Sequence, residues 1–250
     1  MRKPLIAANW KMYKTISEAL DFVKEFLPLV AGVDEVDIAV CPPFTSLFAL
    51  SLELKGSPLK LGAQDVFWES QGAYTGEISP AMLLDLGCQY VIIGHSERRH
   101  IMGESDLIIN RKLKAARLAG LIPIFCVGET LQEREQGLAR EVVQQQLDKG
   151  LQDIPARELV VAYEPVWAIG TGVNASPADA REMTGFIREY LAILYDNTWA
   201  EGVLILYGGS VKPDNIAQFM AEIDVDGALV GGASLNAVDF ARIVRLNGNV

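Results

Sequence analysis

The chain has 250 residues, half of them hydrophobic and 22% charged, which excludes a disordered protein and fits one large domain or two small ones. Its 22 basic and 32 acidic residues give a formal net charge of −10. This charge disfavours nucleic acid or an anionic membrane as a partner, because both select a basic surface. It is still compatible with a small anion held by one local positive site.

The cysteines, the first residues and the length of the apolar runs indicate the cellular compartment. Cys41, Cys88 and Cys126 are widely spaced and form no CxxC pair, so we expect reduced thiols and no disulfide framework. The chain has only two histidines, which disfavours a histidine-rich zinc site. The first residues lack the features of a signal peptide, and no apolar run approaches the length of a membrane span. We therefore expect a cytoplasmic protein with no membrane partner.

Eight strand-length apolar runs recur along the chain. Most are continuous rather than alternating, which is typical of parallel strands buried on both faces. In chain order they are Leu5–Trp10, Asp37–Cys41, Lys60–Gln64, Tyr90–Ile93, Ile122–Val127, Leu159–Glu164, Val203–Tyr207 and Ala228–Val230.

Helical patterns separate these runs. Capping boxes or Ser-Pro pairs mark helix starts at Thr15, Ser79, Thr130 and Ser176. A further helix over Asp106–Ala119 is expected to end at Gly120, where a left-handed backbone costs little. Eight strands alternating with helices over residues 1–250 predict a single α/β domain folded as a (β/α)₈ TIM barrel. A doubly wound open sheet is the alternative that periodicity leaves open.

Polar residues follow the apolar runs at the ends where a barrel carries its active site. Asn9 and Lys11 share one side of the first run and Trp10 takes the other, because side chains alternate along a strand. His95 follows the fourth run. Taken alone, Lys11 is consistent with an exposed lysine and His95 with a structural histidine. Glu164 is harder to explain structurally, because four apolar residues lead into it and buried carboxylates are rare unless paired or functional.

Glycine pairs follow the last two runs. Gly208-Gly209 precedes Ser210, and Gly231-Gly232 follows the eighth strand. Paired glycines let backbone N–H groups approach a ligand and form an anion-binding nest. The loops after strands 7 and 8 of a barrel are a frequent phosphate site, so we expect a phosphorylated ligand here.

The sequence resembles the triosephosphate isomerase family over nearly its whole length, in family order. The segments that carry the resemblance are Asn9–Met12, Gly72–Glu77, Ile93–Arg99, Cys126–Glu129, Ala162–Gly172, Tyr207–Val211 and Leu229–Ala233. The segment around Glu164 is the most specific of them.

The resemblance implies an isomerase of glycolysis and gluconeogenesis that interconverts dihydroxyacetone phosphate and glyceraldehyde 3-phosphate, without a metal or an organic cofactor. It implies that Glu164 is the base that moves a proton between C1 and C2. His95 would polarise the carbonyl, with the field of a short following helix opposing its charged form. Lys11 would supply positive charge, Asn9 would help to position the substrate, and Glu97 would support the site from beside it.

The resemblance also implies how the phosphate is held and covered. Backbone N–H groups of Gly170, Ser210, Gly231 and Gly232 would bind it. The closing lid would consist of Pro165, Val166, Trp167, Ala168, Ile169, Gly170 and Thr171, and would be received by Tyr207 and Ser210. Residues 170–175 also fit a loose GxGxxA dinucleotide pattern, but they do not directly follow a strand as that fingerprint requires.

A homodimer is implied through the loop Gln64–Ser79, with Thr75 entering the neighbouring subunit near its active site. Two other functions stay open from the residues alone. One is a phosphate-binding barrel that acts on a different sugar phosphate, and the other is an inactive barrel used as a binding scaffold.

Overall fold

The computed structural model describes residues 2–168 and 175–246. Eight parallel strands close into one barrel in the order of the sequence, and β1 pairs with β8. The strands are β1 Leu5–Asn9, β2 Asp37–Cys41, β3 Lys60–Ala63, β4 Tyr90–Ile93, β5 Ile122–Val127, β6 Val160–Tyr163, β7 Leu204–Tyr207 and β8 Gly227–Val230. The predicted TIM barrel is confirmed, and the open sheet is excluded by the β1–β8 pairing.

Helices follow the strands and surround the barrel. Within the described residues they are α1 Ile16–Leu29, α2 Phe44–Glu53, α3 Pro80–Asp85, α4 Ser96–His100, α5 Asp106–Ala119, α6 Leu131–Glu135, α7 Ala139–Gly150, α8 Pro177–Leu194, α9 Asn197–Gly202, α10 Ile216–Met220 and α11 Ala237–Val244. Short 3₁₀ turns lie at Val166–Ala168 and Gly232–Leu235. No helix in the described ranges is long and apolar enough to cross a bilayer.

The alternation of side chains along the strands builds two apolar layers. Leu5 and Ala7 of β1 belong to the small cluster that fills the barrel, while Ile6 and Ala8 belong to the large cluster between strands and helices. Both faces of each strand are therefore buried, which explains the continuous apolar runs. Polar groups are consequently displaced to the strand ends.

The start and stop signals of the helices are confirmed. Capping boxes precede α1, α6 and α8, and the Ser79 side chain accepts a bond from the Met82 N–H. Gly120 ends α5 with φ +99°. The apolar runs extend one residue past the carboxyl ends of β1, β3 and β6, because Trp10, Gln64 and Glu164 have left the ladder and begin the loops that carry the site.

Candidate active site

A cavity of about 430 Å³ opens at the carboxyl ends of the strands. Most of the predicted site residues line it: Asn9, Lys11, His95, Glu164, Ser210, Gly231 and Gly232. They lie at the carboxyl ends of β1, β4, β6, β7 and β8 or just beyond them, and closure of the barrel brings them together. Trp10 points the other way into the large core cluster, as the two-residue period predicts.

The Glu164 carboxylate is buried at the floor of this cavity, with 2% of the residue exposed. It accepts a 2.9 Å bond from the Ser96 N–H, and its second oxygen lies 3.1 Å from Nε2 of His95. Burial alone would raise the pKa of Glu164, but His95, the Ser96 N–H and the Lys11 charge outweigh it and hold the pKa below its ordinary value. Glu164 is therefore favoured as an ionised carboxylate although it is buried.

Two glycines make room for Glu164. A Cβ on Gly128 would lie 1.8 Å from the Glu164 carbonyl oxygen, and a Cβ on Gly208 would lie 2.8 Å from its Cγ. Neither position tolerates a side chain without displacing the carboxylate or its backbone. Gly208, which directly follows β7, thus leaves room for the Glu164 side chain. It also begins the loop that the sequence predicts to bind phosphate.

His95 caps the short helix α4 and lies 5% exposed at the cavity wall. Its Nδ1 accepts a 3.2 Å bond from the Glu97 N–H, which requires Nδ1 to be unprotonated and places the proton of a neutral ring on Nε2. The sequence predicted that the helix field would disfavour a charged ring. Burial acts in the same direction, but in this arrangement the Glu164 carboxylate outweighs it and raises the pKa of His95 above its ordinary value.

Lys11 reaches the cavity from a left-handed backbone, with φ +50°. Its Nζ bonds Glu97 Oε1 at 2.7 Å, and its N–H donates to Asn9 Oδ1 at 3.0 Å. Glu97 therefore lies beside the cavity and orients the lysine, while Asn9 stabilises the strained turn. A non-glycine residue held in this conformation at a cavity is consistent with a functional constraint.

Gln64 contributes to the site, although the sequence predicted it only as the end of a strand and the start of the interface loop. Its Nε2 donates to the carbonyl oxygens of Lys11 and Cys41, at 2.8 and 2.9 Å. The first residue of the predicted interface loop thus holds the backbone of Lys11. The signal in the sequence was only its position after β3, because the partners lie 53 and 23 residues away.

The two loops that the sequence predicts to bind phosphate are held by side-chain hydrogen bonds on the side away from the cavity. The Asn215 side chain accepts from the Lys212 N–H at 2.8 Å and donates to Ser210 O at 3.0 Å. After β8, the Ser234 hydroxyl donates towards Val230 O and Gly231 O. These bonds pre-organise both turns at the cavity.

The start of the predicted lid is described, but its tip is not. Trp167 Nε1 donates to Glu129 Oε1 at 2.8 Å, and this buried carboxylate also accepts from the Tyr163 hydroxyl. Arg134 Nη1 lies 3.3 Å from the same oxygen. The predicted lid residues Ile169, Gly170 and Thr171, including the phosphate contact of Gly170, lie outside the described residues.

Comparison with known proteins identifies the family. The family model for triosephosphate isomerase matches residues 4–247. The chain belongs to the triosephosphate isomerase family. A triosephosphate isomerase of Moorella thermoacetica is 58% identical over 247 residues, covering 98% of both chains. Those of Carboxydothermus hydrogenoformans and Dictyoglomus thermophilum are 56% and 53% identical over 248 residues, covering 98% of this chain and 99% and 100% of theirs.

The identities of these triosephosphate isomerases extend over the whole barrel, so no large insertion or deletion separates this chain from them. The family resemblance read from the strand-end motifs is therefore confirmed. The cavity described above is where the barrel architecture of a triosephosphate isomerase places its chemistry, at the carboxyl ends of the strands.

Proposed function

We propose that the chain interconverts dihydroxyacetone phosphate and D-glyceraldehyde 3-phosphate, an intramolecular aldose–ketose isomerisation of glycolysis and gluconeogenesis, with Glu164 as the single base. The observation that carries this proposal is the placement of Glu164. It is a buried carboxylate with a lowered pKa, and it shares a cavity with His95, Lys11 and two glycine turns. Moving a proton beside a carbonyl needs a base at the carbon and a donor at the oxygen, and this set supplies both.

Substrate binding changes the partners of Glu164. Without substrate its oxygens face the Ser96 N–H and His95, at 2.9 and 3.1 Å. To take the proton from C1 of dihydroxyacetone phosphate, the carboxylate must turn from these groups towards the substrate carbon. It then returns the proton to C2, while His95 transfers the hydroxyl proton of O1 to O2, which gives the aldehyde.

His95 is proposed to act as a neutral donor from Nε2 to the substrate carbonyl oxygens. The bond from the Glu97 N–H to Nδ1 persists while Glu164 turns away. Burial and the Lys11 charge continue to lower the pKa of His95, whereas Glu164, the main group that raises it, has turned away and only the smaller effect of the Glu97 carboxylate remains. A neutral imidazole is thereby favoured at the moment when the enediolate forms.

Lys11 is proposed to stabilise the negative charge of the enediolate, and Asn9 to help to position the substrate. The Lys11 ammonium group has three donors, of which the bond to Glu97 Oε1 uses one. Backbone N–H groups of Gly170, Ser210, Gly231 and Gly232 are proposed to bind the phosphate, with Pro165–Thr171 as the lid. Tyr207 and Ser210 are proposed to receive this lid when it closes. No residue of this mechanism calls for a metal or an organic cofactor.

A coupled assay on purified protein tests the proposed function. Triose, tetrose and pentose phosphates are offered separately, and only the triose phosphates are expected to turn over. Activity confined to a longer sugar phosphate would favour a different phosphate-binding barrel enzyme. No activity on any substrate would favour a binding scaffold.

Lys212 lines the cavity mouth, although no motif in the sequence predicts a role for it. It is exposed, and no carboxylate among the described residues pairs with it. In a chain of net charge −10, a cation at this mouth offsets repulsion of an anionic substrate. In the sequence, the feature that could have indicated this role is the position of Lys212, two residues after Ser210.

Lys212→Met is expected to raise KM about fivefold and to leave kcat within about twofold, because an exposed charge acts on binding rather than on the proton transfer. The increase should shrink at high salt, where exposed charges are screened. Lys24→Met is the matched control, since it removes the same charge from an exposed position on α1. An equal KM increase in the control would assign the effect to overall charge.

A homodimer through Gln64–Ser79 is also proposed. Phe67 of this loop packs against Trp68 and Tyr74, with ring centroids 4.0 and 4.6 Å apart, and Tyr74 is still 45% exposed. Other exposed apolar side chains follow β1 to β4, which are neighbouring strands. They are Met12, Tyr13, Phe44, Phe48, Met82, Ile101 and Met102. A patch of this kind is typical of a protein–protein interface.

Replacing Gln71–Gly76 by a two-residue link is expected to give a folded monomer with about 10²-fold lower activity. The loop begins at Gln64, which holds the backbone of Lys11, and Thr75 is proposed to reach the active site of the partner. Loss of the loop should therefore displace site residues, and a displacement of about 1 Å can lower the rate by about this factor. Sedimentation at assay concentration measures the assembly. Leu118→Asp, at a 91% exposed apolar residue on α5, is the control that should stay dimeric. A fully active monomer would contradict the interface.

The proposal also covers the number of domains and the cellular compartment. Residues 1–250 are proposed to form one domain, which is supported by the closure of β1 on β8. The protein is proposed to work in the cytoplasm, where reduced cysteines are the rule; Cys41, Cys88 and Cys126 are free and buried.

A further inference from the structure

Arg99 lies behind the cavity wall and joins three elements at the carboxyl ends of the strands. Its Nε donates to Gly94 O at 2.8 Å, its Nη2 to Cys126 O at 3.1 Å, and its Nη1 to Asp106 Oδ1 at 2.6 Å. The side chain is only 9% exposed. One rigid guanidinium group therefore connects the loop after β4, the end of β5 and the first turn of α5.

The hydrogen bond from Arg99 to Gly94 lies at the turn that directs the His95 side chain into the cavity. Ile92 points into the barrel and Ile93 points outwards, so strict alternation would send His95 outwards as well. Gly94 takes φ +76° and redirects the chain, and His95 lines the cavity instead. A Cβ on Gly94 would lie 3.2 Å from Arg99 Nη2, so the guanidinium packs directly against this turn.

The bond to Cys126 lies beside the strand that carries Glu164. Cys126 pairs with Ala162 of β6, two residues before Glu164. Gly128 then contacts the Glu164 backbone so closely that an added Cβ would meet its carbonyl oxygen at 1.8 Å. The same guanidinium thus holds the backbone leading to the imidazole and the backbone beside the carboxylate.

We propose that Arg99 is a positioning residue, which fixes the separation of the His95 imidazole and the Glu164 carboxylate by holding the ends of β4 and β5 together. The inference rests on the proposed isomerase function. Arg99 does not line the cavity itself, so its effect on the reaction passes through His95 and Glu164. Lysine cannot replace it, because an ammonium group lacks the planar fork that bonds three acceptors at once.

Arg188 provides a matched control at the opposite end of the barrel. Its side chain is 7% exposed and pairs with Asp224 and Asp226, at 2.5 and 2.6 Å. It also donates to the carbonyl oxygens of Ala200 and Val203, which precede β7. Arg99 and Arg188 therefore share burial, carbonyl acceptors and carboxylate partners, but only Arg99 lies at the end of the barrel that carries the cavity.

The test compares Arg99→Lys with Arg188→Lys in the full-length protein. For each variant, kcat, KM, the melting temperature and the ¹⁵N resonances of the imidazoles are measured. The chain has only two histidines, so buried His95 and exposed His100 are assigned separately in the parent protein and in each variant. Both variants are expected to melt at lower temperature than the parent. Only Arg99→Lys should lower kcat, by at least about tenfold with KM within about threefold, and only it should shift the His95 resonances.

Asp106→Asn is a milder second variant, because it removes only the carboxylate that holds Nη1 of Arg99. A kcat loss of about threefold and a His95 shift in the same direction are expected, and this variant decides the test if Arg99→Lys does not fold. Unchanged kcat and unchanged His95 resonances in the folded variants would overturn the proposal, as would an equal kcat loss in Arg188→Lys. A parent protein without isomerase activity would instead contradict the proposed function, and the His95 resonances would still test the role of Arg99.

Discussion

Glu164→Asp is expected to lower kcat by at least about 10²-fold while the apparent affinity for substrate changes little. The shorter side chain keeps the carboxylate but withdraws it by one methylene, about 1 Å, and a displacement of that size at a reacting group has a cost of this order. The phosphate contacts are unaffected, so KM should stay within about threefold. Steady-state kinetics in both directions measure the effect.

Glu164→Gln is the companion variant, because it keeps the length of the side chain and removes its basicity. We expect a loss at least as large as that of the aspartate variant. Circular dichroism and melting temperature show whether both variants fold. A near-normal kcat in either one would exclude Glu164 as the base.

Deleting Ala168–Thr171 is expected to slow isomerisation by about 10²-fold or more, since the deletion removes the Gly170 N–H that is proposed to bind the phosphate and the lid that is proposed to exclude water. It should also change the products. An enediolate beside a phosphate ester can expel phosphate when the C–O bond aligns with the π system. A closed lid holds that bond in the plane.

The measured quantity is the ratio of inorganic phosphate to isomerised product per turnover. In the deletion variant we expect a rise of at least about tenfold, with methylglyoxal formed alongside, because the intermediate escapes before Glu164 returns the proton. Lys212→Met, which weakens substrate binding without removing the lid, should leave the ratio unchanged. A lower rate with an unchanged ratio would limit the lid to a positioning role.

The sequence predicted the strands and the floor of the cavity well, because these follow from local patterns. Four apolar residues leading into Glu164 place it at the end of β6, and the two-residue period separates Lys11 from Trp10. The glycine pairs mark the turns after β7 and β8. These features can be predicted from the local sequence without knowing which strands become neighbours.

The remaining parts of the site depend on contacts between distant residues. The Ser96 N–H meets Glu164 across 68 positions of sequence, and Gln64 meets Lys11 across 53. No local pattern predicts such pairs, since closure and register of the barrel create them. The raised pKa of His95 has the same origin, because the Glu164 carboxylate that outweighs burial lies on another strand and not in the segment around the ring.

Proton transfer by one carboxylate is the central claim, and isomerisation in D₂O tests it most directly. Dihydroxyacetone phosphate is converted by the purified protein, and deuterium at C2 of the trapped glyceraldehyde 3-phosphate is measured by NMR. A proton held on Glu164 exchanges with solvent, so we expect deuterium in a substantial share of the product, and we expect no comparable turnover in Glu164→Gln. Product free of deuterium would point to a hydride shift instead and would contradict the account.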